Sequence, residues 1–131
     1  MRSNGGPDKG KTILVVDDEP LIAEGLATAL RLDGYDADTA GNGAVALEKL
    51  QGGIYDLILC DVKMPVLDGP SLYREVKRRH PAFSRRFVFF TGAWLDVETT
   101  ELFQESQIPY LRKPFRFDEL LGVVKWALDK G

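Results

Sequence analysis

Short apolar runs alternate with longer amphipathic stretches along this chain, and that alternation constrains the fold more than any other feature of the sequence. Thr12 to Val16, Ala37 to Ala40, Leu57 to Cys60, Phe87 to Phe90 and Tyr110 to Arg112 have the length and content of strands. Between the first two, Ile22, Leu26, Ala29 and Leu30 recur at helical spacing, with Pro20 at the entry and Gly34 just past the end. Comparable helical stretches hold Ala44, Leu47 and Leu50, then Leu72 and Val76 leading into Lys77-Arg78-Arg79 before Pro81. Two more run from Val97 to Glu105 and through Leu120, Leu121, Val124 and Leu128 behind Asp118. Five strands therefore alternate with five helices. Right-handed crossovers then give an α/β fold, a parallel sheet covered on both faces, which explains why the first, third and fourth strands are apolar almost throughout. Ligands bind such sheets outside the carboxyl ends of the strands, so function is sought just after each run.

The length of 131 residues, 44% of them hydrophobic, fits one domain with one sizeable core. Residues 1–10 are polar, rich in Gly and Pro and without apolar period, and read as a flexible tail or linker before a domain at 11–131. A net charge of -3, from 17 basic and 20 acidic residues, gives no polycation, so sequence-independent nucleic-acid binding is not indicated. No apolar stretch approaches the roughly 20 residues that span a bilayer, and the start lacks a signal-peptide core. Cys60, the single cysteine, stands in an apolar run as a small buried hydrophobe, which suits the cytoplasm. No contact with a membrane is expected.

Asp17-Asp18-Glu19 follow the first strand, Asp61 the third, Thr91 the fourth, and Lys113-Pro114 the fifth. Singly, each has a structural explanation as a cap, a turn or a solvated charge. Jointly, they place three carboxylates, a hydroxyl and an ammonium around one crevice. Clustered carboxylates raise one another's pKa unless a cation joins them, and a hard dication such as Mg²⁺ is the natural remedy. Three negative charges, one Mg²⁺ and Lys113 sum to zero. A carboxylate oxygen can then attack phosphorus while the cations neutralise the equatorial oxygens, and Thr91 can donate to the product. Asp61 is the nucleophile candidate because it ends its strand alone, whereas the adjacent Asp17 and Asp18 suit metal binding.

The runs Ile13-Leu14-Val15-Val16-Asp17-Asp18-Glu19, Asp56 to Gly69, Phe89-Phe90-Thr91-Gly92-Ala93 and Leu111-Arg112-Lys113-Pro114-Phe115 together resemble response-regulator receiver domains of two-component signalling. The resemblance frames residues 12–128 and implies a flavodoxin-like, doubly wound sheet of order 2-1-3-4-5. It further implies that Asp61 is the phosphoacceptor, that Asp18 binds Mg²⁺ directly, Asp17 largely through water and Lys63 through its backbone carbonyl. Thr91 and Lys113 would contact the phosphoryl group, Lys113-Pro114 would be a cis peptide, and Tyr110 would be the switch aromatic. Lys63 and Ala93 would flank the path of water to the acyl phosphate. The implied donor is a phosphohistidine on a sensor histidine kinase or a histidine phosphotransfer domain, and the implied output is a downstream protein target. A homodimer would use the face of the fourth helix, fifth strand and fifth helix. Such a domain is no enzyme in the ordinary sense, since it catalyses only its own phosphorylation and slow dephosphorylation. With only Asp129-Lys130-Gly131 after Leu128, the chain reads as a stand-alone receiver or, preferably, as the C-terminal receiver of a hybrid histidine kinase.

A haloacid-dehalogenase-like phosphatase also combines a strand-end Asp with Thr and Lys. It needs a second Asp two residues after the nucleophile, where this sequence has Lys63 after Asp61. A flavodoxin would want a hydroxyl-rich and glycine-rich phosphate loop where Asp17-Asp18-Glu19 stand. Gly41-Asn42-Gly43 lacks the marks of a nucleotide loop and reads as a turn into the second helix. His80 follows three basic residues at a helix end and complements its dipole, and Arg78, Arg79, Arg85 and Arg86 read as a solvated face.

Overall fold

Side chains alternate across a strand, so a sheet covered on both faces must supply apolar residues at every position. The computed structural model describes residues 10–92 and 94–130, and expectations for residues 1–9 and for Ala93 lie outside the described residues. Its strands are β1 (Thr12–Val16), β2 (Asp36–Ala40), β3 (Leu57–Asp61), β4 (Phe87–Thr91) and β5 (Tyr110–Arg112). The helices are α1 (Pro20–Leu32), α2 (Gly43–Gly52), α3 (Gly69–Arg79), α4 (Val97–Ser106) and α5 (Phe117–Lys130). All neighbouring strands are parallel, in the order β2-β1-β3-β4-β5, as expected.

The alternation builds two cores. Leu14, Val16, Ile58, Cys60, Phe87 and Phe89 face one layer, where Ala46, Leu50, Leu72, Val76 and Phe103 close over them. Ile13, Val15, Leu57, Leu59, Val88 and Phe90 face the other, under Ala23, Ala27 and Leu30 of α1 and Leu120 and Val124 of α5. Burying a side chain of this size stabilises by about 1.5–3 kcal/mol, so β1, β3 and β4 form a rigid platform.

Helix boundaries follow local chemistry. Pro20 opens α1, and Gly34 takes φ 99° just beyond its end. The Asn42 side chain caps α2 by accepting from the Val45 N–H, which accounts for the turn at Gly41-Asn42-Gly43. Asp68 and Asp96 cap α3 and α4 in the same way, through Ser71 and Thr99.

Beyond one-residue extensions at the ends of β3, β4 and α4, three details differ from the sequence expectation. β2 begins at Asp36, because Asp36 pairs with Thr12 at the start of β1. A short 3₁₀ helix, Pro81–Arg85, lies between α3 and β4. In α2 the buried residues are Gly43, Ala46 and Leu50, with Ala44 exposed.

Candidate functional site: an acidic cleft at the carboxyl edge of the sheet

From β1 the chain places β2 on one side and β3 on the other, so the direction of winding reverses between β1 and β3. A crevice opens outside the strand ends at such a point. Val16 pairs with Cys60 in register, which sets the next residues, Asp17 and Asp61, side by side. β3 and β4 each run one residue further than the apolar pattern indicated, so Asp61 and Thr91 are the last residues of their strands. The Lys113 N–H donates to the Thr91 carbonyl at 2.8 Å, tying the end of β5 to the end of β4.

Close approach at one glycine fixes the floor. A Cβ on Gly69 would lie 2.5 Å from the Asp61 carbonyl oxygen and 2.7 Å from the Phe89 ring. Only glycine lets α3 start this close to the end of β3, where the Gly69 N–H donates to the Val62 carbonyl at 2.9 Å.

One carboxylate oxygen from each of Asp17, Asp18 and Asp61 lies within 4.8 Å of the others. Asp17 is fully buried, Asp61 is 7% exposed and Asp18 is exposed. The Lys113 ammonium stands 3.9 Å from Asp17 Oδ2 and 3.9 Å from Asp61 Oδ2, and also 5.0 Å from the centre of the Phe90 ring. Asp17 Oδ1 accepts the Glu19 N–H at 3.0 Å, whereas its Oδ2 is buried with no hydrogen-bond partner. Burial pushes the Asp61 carboxyl up to about 6; Lys113 opposes that, Asp17 adds to it, and the Lys63 N–H opposes it by donating to the carboxylate. Burial likewise raises Asp17, against the Glu19 N–H and Lys113. Lys113 leaves this site with excess negative charge. An orphaned buried oxygen beside two further carboxylates fits a divalent cation with oxygen ligands.

The remaining expected residues surround this centre. Thr91 is buried, and the Lys63 side chain is exposed. Tyr110 lies on the sheet-edge strand β5, 42% exposed, its ring 5.5 Å from that of Phe103. The Lys113-Pro114 peptide is cis. His80 stands apart at the end of α3, with its ring against Phe83.

The sequence profile of the response regulator receiver domain matches residues 13–125. This chain belongs to that family. The receiver domain is 36% identical over 121 residues to the sensor kinase CckA of Brucella abortus, a match that covers 91% of this chain and 13% of that protein. It is 38% identical over 117 residues to the transcriptional regulatory protein ZraR of Escherichia coli, covering 88% of this chain and 26% of that one. The chain thus spans an eighth to a quarter of the length of these curated relatives. Among solved structures, a CheY-like receiver domain from Methanospirillum hungatei superposes with a TM-score of 0.84 at 26% identity, covering 93% of this chain and 96% of that one. The receiver domain of sensor histidine kinase PA1611 from Pseudomonas aeruginosa, with a magnesium ion coordinated in its active site cleft, gives 0.79 at 30% identity, covering 92% and 98%. The phosphatase alternative finds no support in these matches, and the place its general acid would take is held by the exposed Lys63.

Two contributors to the receiver site escaped the sequence reading. The Glu19 N–H orients Asp17, and the ring of Phe90 lies under the Lys113 ammonium. The first follows from the tight turn between β1 and Pro20. The second lay in the β4 motif, but the apolar run hid which face each Phe takes.

Proposed function

We propose that Asp61 of this receiver domain accepts a phosphoryl group, in a two-component phosphorelay, with Mg²⁺ bound by Asp17, Asp18, Asp61 and the Lys63 carbonyl. The observation that carries this reading is the cluster itself, three carboxylates and the Lys113 ammonium around the fully buried Oδ2 of Asp17, which no hydrogen bond satisfies. Bound there, Mg²⁺ would neutralise the carboxylates and draw off charge from the phosphoryl oxygens.

The protein's own residues do the rest. Asp61 supplies the attacking oxygen, which forms an O–P bond as the P–N bond of a phosphohistidine breaks; the electron pair leaves with the ring nitrogen, which takes up a proton. Lys113 offers positive charge to the transferring group, as its position between Asp17 and Asp61 allows. Thr91 donates its hydroxyl proton to a phosphoryl oxygen, and the domain turns over no other substrate. Tyr110, on β5 beside Phe103, reads the change at Thr91 out to the α4-β5-α5 face, which serves a protein target or a second copy.

The donor is a histidine kinase or phosphotransfer domain in the cytoplasm. Among the described residues no helix is long and apolar enough to cross a membrane. The domain 11–131 works as the receiver of a hybrid kinase; the similarity to CckA and to the PA1611 receiver supports this setting. Intact-mass measurement after treatment with acetyl phosphate tests the chemistry. One phosphoryl adduct is expected, only with Mg²⁺, and none on Asp61→Asn. An equal adduct on that variant would refute the assignment.

A further inference from the structure

The amino-terminal edge of the sheet, away from Asp61, carries a groove of about 340 Å³. Its floor is apolar: Phe87 at the start of β4, and Ile108 and Pro109 before β5. The half-exposed indole of Trp126 forms one wall, and Arg85 and Lys130 stand on the rim.

Charge is segregated here. Ten residues line the groove, two of them cations and none a carboxylate, in a chain whose net charge is -3. Among the described residues neither Arg85 nor Lys130 has an ion-pair partner, and the Lys130 ammonium lies 4.9 Å over the Trp126 ring. The neighbouring acid, Asp129, is 3.9 Å from Lys125. A second depression shares Arg85, Ser84 and Ser106, and adds Lys77 and the single carboxylate of Glu105.

Helix α4 ends at this groove, through Ser106 and the left-handed Gln107. A helix C-terminus presents carbonyl oxygens without intrahelical partners and carries partial negative charge. The carbonyls ask for N–H donors and repel a compact polyanion, whereas the rim asks for separate negative charges a side chain's length away. A peptide backbone with acidic side chains meets both demands, and one apolar side chain fills the floor beside Trp126.

We propose that this groove docks an extended acidic peptide segment of a partner protein, anchored by one apolar or aromatic side chain. The proposal is independent of phosphorylation at Asp61. It is tested by selecting phage-displayed random heptapeptides on the whole chain, with counter-selection on the Arg85→Glu/Lys130→Glu double variant. Enriched peptides should combine Asp or Glu with a large apolar residue. Synthesised, they should change Trp126 fluorescence in a Trp94→Phe background and bind the double variant about tenfold more weakly or worse. Trp126→Ala, on an exposed site, gives a second loss of binding should the double variant fail to fold by circular dichroism. The proposal is overturned if nothing enriches, if the enriched peptides lack acids, or if the variants bind as well as the parent. Displacement of the peptides by inorganic pyrophosphate would make this a polyanion site, and a dimer dissolved by the double variant would give the groove to a second copy. Either result would also overturn it.

Discussion

Asp61 sits where its own charge is unfavourable. Its pKa of about 6 lies above the ordinary 3.8, so without a cation the ionised form is penalised by folding. For a raised carboxylate the penalty is absent below the unfolded pKa and complete once the pH passes the folded one. In EDTA, Asp61→Asn should therefore stabilise the protein at pH 7 to 8, by about 3 kcal/mol at most, and change little near pH 4. Denaturant unfolding at the two pH values measures this, and an equal effect at both would contradict it. Asp18→Ala should weaken Mg²⁺ binding more than Asp17→Ala, because the receiver family implies direct binding by Asp18 and binding largely through water by Asp17; titration calorimetry decides, and equal losses would mean shared roles. Lys63→Ala should change the dephosphorylation rate severalfold without abolishing phosphorylation, and an unchanged decay would remove Lys63 from the path of water. The strand-end places of Asp17, Asp18 and Asp61 were legible because an apolar run precedes them, whereas Lys63 came from the resemblance to the receiver family. The distances among the aspartates were not legible, since the meeting of Asp17 and Asp61 depends on the register of β1 against β3, which no local pattern encodes.

Among the elements, strands and strongly amphipathic helices were legible and weakly amphipathic ones less so. In α2, six of ten residues are Gly, Ala or Leu, so the sequence offers two overlapping apolar faces; the cap at Asn42 and the close approach of Gly43 to Leu67 select the one that buries Ala46. The Pro81–Arg85 helix was missed because it buries no residue and so leaves no period. Gly69 shows how one backbone contact positions an element: Gly69→Ala drives a methyl group into the Asp61 carbonyl and should cost about 1–3 kcal/mol in thermal or chemical unfolding. A cost below a few tenths would show that α3 can back away freely. In the proposed function, coupling between elements is the switch. Thr91→Ala should leave Asp61 able to take beryllofluoride while removing the accompanying NMR shifts at Tyr110 and along residues 97–105. A difference of about 2.7 kcal/mol between two states moves their ratio about a hundredfold, so a single hydrogen bond lost at Thr91 weighs heavily. Parent-like shifts in the variant would send the coupling along another route.

For the whole molecule, alternation of strands and helices was enough to give a parallel sheet with two covered faces. The strand order came from resemblance to the receiver family, because periodicity does not say on which side of β1 the chain places β3. Long-range polar ties were invisible in sequence for the same reason. Asp38 of β2 accepts from Tyr55 before β3 at 2.9 Å and from Lys49 of α2 at 3.2 Å. Those partners hold the Asp38 carboxyl below its ordinary range, so their contribution is present above pH 4 and fades as the pH falls through the lowered value. Asp38→Asn should accordingly destabilise at neutral pH and lose its effect in acid.

The proposed function turns on where the phosphoryl group goes, and borohydride trapping reads that position directly. An acyl phosphate is reduced to the alcohol, so peptide mass spectrometry after treatment with acetyl phosphate and Mg²⁺ should find homoserine at position 61 and at no other aspartate. Homoserine at Asp17 or Asp18, or its persistence elsewhere in Asp61→Asn, would contradict the assignment of Asp61 as the phosphoacceptor.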